Sequence, residues 1–313
     1  MPENLWRYAL AAGVVDNPAG QSTVYVFGGR YYQTPTDPPA TTILAYNVAT
    51  DSWTTKAAHF SGGATNGVGR IGDKLYISGG WDFTGTPDHW VDESSSLFAY
   101  DWVHDRVIRK ADMPQPSGGG VTGVMNGKLY VLAGECFQQL CRDFYRYDPA
   151  TNAWTTLPSA PNFHWQGAGV VLNGKFYVAG GGPSPRRSFD VYDPATNTWT
   201  ALDLMPPRKP IAVGATAQGK VYVIGIGGDD RKEGVDRNTV AYYPPTNSWA
   251  NKAPFPGPQG EGGQFLLHPA AALRVLLDGR AGILTVGSGH LYSDGTVKPA
   301  GTIDPAPPYL YTP

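Results

Sequence analysis

A Tyr followed seven positions later by a Trp recurs at Tyr46/Trp53, Tyr147/Trp154, Tyr192/Trp199 and Tyr242/Trp249. The phrases that carry it are "AYNVATDSW", "RYDPATNAW", "VYDPATNTW" and "AYYPPTNSW". A fifth copy, "YDWVHDRV" from Tyr100, keeps the spacing but places Val107 where the Trp stands elsewhere. Upstream of each copy lies a β-like run that closes in small residues: "VYVFGG", "LYISGG", "LYVLAG", "FYVAGG" and "VYVIGIGG". Three of these runs follow a tight-turn signal, at Asn126-Gly127, Asn173-Gly174 and Gln218-Gly219. Such dipeptides supply the positive φ angles that a two-residue hairpin needs. The unit therefore reads as strand, tight turn, strand, Gly pair, variable loop, Tyr strand, "DPATN" turn, Trp strand. That is a four-stranded antiparallel sheet of roughly 50 residues.

The combination of Gly pair, Tyr and Trp at fixed offsets resembles the kelch family of β-propellers over nearly the whole chain. A WD-type propeller is disfavoured, because neither of its signatures recurs in register. The resemblance implies an all-β, six-bladed propeller in which residues 1–313 form one domain. The last three residues and the first six, "YTP" and "PENLW", read as one more Tyr-to-Trp phrase once Met1 is skipped. A strand over residues 2–8 is therefore expected to complete the last blade, 255–313, and close the ring with Trp6. In that blade "GGQFLL" is taken as the first strand and "ALRVLLDG" as the second, with Gly279 in the Gly-pair place. The alternative makes "ILTVGSG" the second strand.

Composition bounds what such a ring can do. Forty Gly, 28 Pro and abundant Tyr, Trp and Thr favour short strands joined by turns. A net charge of -2 gives no reason to expect nucleic acid or membrane as partners. No leader is visible in "MPENLWRYAL", so the chain as written is expected to be cytoplasmic, or secreted or periplasmic if a leader was removed. Cys136 and Cys141 are close enough to be bridged across a loop, and free thiols are the alternative. They make a poor metal site, and no metal or other cofactor is expected.

The "NGK" and "DPATN" turns on one face barely vary between repeats, as a structural role requires. The variable loops open on the other face, and chemistry is expected there, around the channel. Residues just after the Gly pairs are Arg30, Trp81, Glu135, Arg186, Asp229 and Arg280; the connections between blades add His164, Trp165, Arg208 and Glu261. Arg forks match carboxylates, and indole faces suit sugar rings. The inventory points to an anionic small molecule such as a sugar acid. In that reading Arg30, Trp81, Trp165, Arg186, Arg208, Asp229 and Arg280 bind, and Glu135, Glu261 or His164 move protons in an isomerisation. The same basic face could instead grip an acidic peptide.

Within the family, the resemblance implies several activities. Sialate mutarotases apply Arg and carboxylates to a sugar acid, as this loop inventory would. Galactose oxidase-like members hold copper through two Tyr and two His, with a Cys joined to one Tyr. Cys136, Tyr31, Tyr32, His164 and Tyr292 offer raw materials for such a copper-radical oxidase, the less favoured alternative, without matching that pattern residue by residue. Specifier proteins hold iron through Glu and Asp four apart, and each Glu here lacks the following Asp.

Overall fold

The computed structural model describes residues 7–8, 10–31, 40–61, 67–81, 93–182, 187–206, 212–225 and 239–253. Beyond these it describes only the strands 265–267, 271–277, 280–286, 289–291 and 309–311. Among the described residues, apart from one turn of 3-10 helix at Pro244–Thr246, the regular structure is antiparallel strand.

Five four-stranded blades are present, each in the order inner, second, third and outer strand. Blade one comprises Ala11–Asp16, Ser22–Phe27, Thr42–Asn47 and Ser52–His59. Blade two comprises Gly67–Ile71, Lys74–Ser78, Leu97–Asp101 and Arg106–Arg109. Blade three comprises Val121–Met125, Lys128–Leu132, Phe144–Asp148 and Ala153–Leu157. Blade four comprises Ala168–Leu172, Lys175–Ala179, Phe189–Asp193 and Thr198–Ala201. Blade five comprises Ala212–Ala217, Lys220–Gly225, Thr239–Tyr243 and Ser248–Lys252. Among the described residues the expected sixth four-stranded blade is not seen. In its place stands a three-stranded sheet of Ala271–Leu277, Arg280–Val286 and Tyr309–Tyr311.

The core runs between blades rather than inside them, because each sheet has two apolar faces and must cover both. Val15, Tyr25 and Phe27 of blade one pack on Leu75, Ile77 and Tyr100 of blade two. Phe176 and Tyr192 of blade four pack on Tyr130 and Phe144 of blade three. The three-stranded sheet joins the same circuit: Ile283 packs with Val213 and Tyr222 of blade five, while Val275 and Leu284 pack with Val24 and Val26 of blade one. Inner strands approach closely at glycines. A Cβ on Gly123 would lie 2.8 Å from the Phe176 ring, and one on Gly69 would lie 2.4 Å from Leu129 Cδ1.

The repeat phrase earns its regularity on the turn face. Tyr and Trp are cross-strand partners in each copy, as are Tyr100 and Val107. The Tyr hydroxyl then donates to the last turn residue, at 2.7 Å for Tyr46–Asp51, Tyr147–Asn152 and Tyr192–Asn197, and 2.8 Å for Tyr100–Asp105 and Tyr242–Asn247. These five acceptors have φ between 47° and 56°, a region that Asn and Asp tolerate better than other side chains. Two of them also reach the preceding blade: Asp105 accepts from the Ala57 N–H at 2.9 Å and Asn152 from the Ala111 N–H at 3.1 Å. The indole N–H of Trp154 returns the contact by donating to the Ala111 carbonyl at 2.8 Å.

The last sheet corrects the expected strand order. Its inner strand is Ala271–Leu277 and its second is Arg280–Val286, the alternative reading, and Phe265–Leu267 pairs instead with Gly289–Leu291 in a separate ribbon. Leu277 pairs with Arg280 as Met125 pairs with Lys128, so Arg280 occupies the Lys position of an "NGK" turn. It therefore stands on the turn face, not on the loop face where a ligand was expected. Arg7–Tyr8 pair with Arg30–Tyr31, and Trp6 lies outside the described residues. No helix among the described residues is long and apolar enough to cross a membrane.

Asn152→Ala should strand the Tyr147 hydroxyl and the Ala111 N–H together. The expected loss of unfolding free energy is about 2 kcal/mol in chemical denaturation, with a much smaller loss for Asn152→Asp, which keeps the acceptor.

Candidate functional site at the loop face

The best-defined part of the loop face is built on Ser117–Gly120, the connection between blades two and three. Ser117 takes the Gly80 N–H on its carbonyl at 2.8 Å. Gly118 and Glu135 exchange N–H and carbonyl in both directions at 2.9 Å. Gly119 accepts the Gln166 N–H at 2.7 Å. Three successive loops are thus laced to one backbone. Only glycine fits, because the indole of Trp81 lies against Gly118 and that of Trp165 against Gly119. A Cβ at Gly118 would fall 2.4 Å from Trp81 Nε1, and one at Gly119 would fall 2.6 Å from Trp165 Nε1.

Two carboxylates border the first of these, Trp81. Trp81 pairs by its backbone with Glu93 across the blade-two loop, and its indole N–H donates to the Glu135 side chain. Burial pushes the Glu135 carboxyl above its ordinary value, the negative charge of Glu93 pushes it further, and the Trp81 donor offsets part of the rise. Glu93 is itself buried and accepts the Gln138 N–H on Oε1 at 2.8 Å. The Trp165 indole N–H is buried and finds no acceptor among the described residues. The arrangement offers flat apolar plates, a carboxyl whose pKa burial raises and an indole donor with no acceptor among the described residues.

His164 does not join this group. It is 1% exposed, with Nδ1 2.8 Å from the Gly180 carbonyl and Nε2 2.9 Å from Asp190 Oδ2. Asp190 also accepts from the backbone N–H and side-chain amide of Asn162. Both ring nitrogens are engaged and closed to solvent, so His164 anchors its loop to blade four, and the expected proton-transfer role has no access. Arg30 and Arg280 lie on strands whose side chains are outside the described set. Glu261, Arg186, Arg208 and Asp229 are outside the described residues altogether. The structure therefore brings together Trp81, Glu135 and Trp165 from the expected set.

Sequence reasoning missed Glu93, and also the short hairpin Glu135–Cys136/Gln139–Leu140 that carries Glu135. Its ends are joined by a Cys136–Cys141 disulfide, the bridged alternative. Both sulfurs lie near the Asp143 carboxylate but are tied up in the bridge, so they are not metal ligands in this state. The "SGGG" run of Ser117–Gly120 was the visible signal for the floor of the site.

The kelch motif family model matches residues 117–161 and 167–203, the spans of blades three and four. With the five repeated blades, these matches support a kelch-repeat β-propeller. Kelch-like protein 15 of Danio rerio is 32% identical over 95 residues, covering 30% of this propeller and 16% of the relative. Kelch-like protein 23 of Pongo abelii is 26% identical over 170 residues, covering 53% and 29%. The propeller thus matches less than a third of the length of either relative. The solved structure of YjhT superposes with a TM-score of 0.61 over 77% of this chain and 83% of that one, at 14% identity, a likeness of fold.

Because Glu135 is raised above 4.5 in the folded protein, it stabilises the fold below that pH, and the contribution is lost as pH rises through the folded value. Trp81 fluorescence should follow this titration with a midpoint above 4.5. Glu93→Gln should move the midpoint down, and Glu135→Gln should abolish it; an unmoved midpoint in Glu93→Gln would show that the two carboxylates do not sense one another.

Proposed function

We propose that this propeller binds a carbohydrate-like small molecule on its loop face, over Gly118 and Gly119 and between the indoles of Trp81 and Trp165. The observation that carries the reading is the Glu135 carboxyl, lifted by burial and by Glu93, set against an indole plate. Indole faces stack on the C–H faces of sugar rings, and carboxylates accept from sugar hydroxyls. A carboxyl that keeps its proton to higher pH can also donate to an acidic group on the ligand. The same group is suited to pass a proton to and from a ring oxygen, which is what isomerisation at an anomeric carbon requires. In this proposal Arg30, Arg186 and Arg208 hold the charge of an anionic ligand, Asp229 is a further binding residue and Glu261 a further proton carrier.

A thermal-shift series against sugar acids, neutral sugars and acidic peptides tests the reading. Sugar acids should raise the melting temperature, and Trp81→Ala should remove the shift while leaving the unliganded protein folded. Stabilisation by peptides alone would favour a protein-interaction module instead. That second reading draws on Phe137, which is 66% exposed on the hairpin beside the site.

The reading also includes a ring of six blades, with the N-terminal strand through Trp6 supplying the fourth strand of the last sheet. It is supported by the packing of that sheet on both blade one and blade five. Trp6→Ala should then cost several kcal/mol, at ~25 cal/mol per Å2 over ~200 Å2 as an upper estimate. An unchanged denaturation midpoint would refute the latch.

A further inference from the structure

The loop between the second and third strands of blade three closes on itself through the Cys136–Cys141 disulfide. Inside that small ring the turn residues are Phe137 and Gln138, with φ of 51° and 60°. A residue with a Cβ persists in this region only where its surroundings impose it. Side-chain packing does not impose it here, since Phe137 is 66% and Leu140 38% exposed. Besides the antiparallel pairing of Glu135–Cys136 with Gln139–Leu140, three restraints remain. One is the disulfide, and the second is the Cys141 N–H on the Gly134 carbonyl at 3.0 Å. The third is the Gln138 N–H on Glu93 Oε1 at 2.8 Å, which ends on the carboxylate that electrostatically faces Glu135.

We propose that Cys136–Cys141 is a reversible thiol–disulfide site that sets the shape of the loop face, locking Gln138 onto Glu93 when oxidised and releasing it when reduced. Its bearing on ligand affinity rests on the carbohydrate-binding reading above; the switch itself does not. The co-reactant is a dithiol. Its thiolate attacks Sγ of Cys141, the less buried residue of the two, the S–S bond breaks, and Cys136 leaves as a thiolate that takes up a proton. The second thiolate of the reductant then attacks the mixed disulfide. The reductant departs as a cyclic disulfide, having given up two electrons, and Cys141 is left as a thiol. Cys136 is 5% exposed and packed on Ala133 and Tyr145, so it holds its place. The freedom gained falls on residues 137–141. With the ring open, the left-handed turn relaxes, Gln138 withdraws its N–H, and Glu93 is left buried without that donor. Both carboxylates of the site then change their surroundings together.

Hydrogen exchange of the full chain, read by mass spectrometry before and after dithiothreitol, tests this directly. The Gln138 amide should exchange at least roughly tenfold faster after reduction, while residues 187–206 of blade four keep their protection. Cys136→Ser/Cys141→Ser should behave as the reduced protein without any reductant, and oxidised glutathione should restore slow exchange in the native sequence. Unchanged exchange at Gln138 would overturn the proposal. So would loss of protection throughout blade four on reduction, because the bridge would then support the whole fold rather than one loop. In parallel, a sugar acid that stabilises the oxidised protein should bind roughly tenfold more weakly to the reduced one, a difference of about 1.4 kcal/mol. If no sugar binds in either state, the ligand reading fails, and the exchange result still decides the switch.

Discussion

A single hydrogen bond, repeated around the ring, carries the rest of the architecture: the Tyr hydroxyl of each third strand donating to the Asn or Asp that ends the following turn. The bond closes a loop of six residues, fixes the register of the outer strand and places a carbonyl or carboxylate oxygen at the blade's edge. At Asp105 and Asn152 that oxygen also takes an N–H from the blade before. The aromatic ring beneath is buried against the neighbouring blade, as Tyr192 is against Phe144 at 4.8 Å and Tyr242 against Phe189 at 4.7 Å. One residue thus supplies apolar area, a cross-strand partner and a polar clip. Deleting the hydroxyl alone would leave a turn held in left-handed backbone with less to hold it.

Pinning every blade at one face leaves the opposite face free to vary. There the backbones are laced through Ser117–Gly120 instead, and glycine lets two indoles approach where side chains would collide. Glu93 and Glu135 arrive from adjacent blades and meet beside one of those indoles. Burial there, and after it the negative charge of Glu93, raises the pKa of the Glu135 carboxyl. The site follows from the scaffold: repeated clips hold the blades, and irregular loops bring unlike residues together.

Most of the fold was legible in the sequence because the Tyr-to-Trp offset encodes strand register directly. The exception shows the limit of that code. In "LLDGRAGILTVGSG" glycine signals occur twice, since Gly serves both a tight turn and a strand-ending pair, and Arg280 follows the first rather than the second. The site was less legible. Trp81, Trp165 and Glu135 were marked by their place after a Gly pair or between blades. His164 looked equally exposed, yet it is sealed by Asp190, 26 residues away in sequence, a contact no local pattern announces. Glu93 sits in "VDESSS" without any repeat position to distinguish it, and only its link to Gln138, 45 residues on, brings it to the site.

The central claim is that the regular face supports and the irregular face binds. A crystal structure of the protein soaked with a sugar acid that stabilises it tests that most directly. The account predicts ligand density over Gly118 and Gly119, against the Trp81 ring and within hydrogen-bond reach of Glu135. Density seated instead among the "DPATN" turns, with the Trp81–Trp165 surface empty, would contradict it.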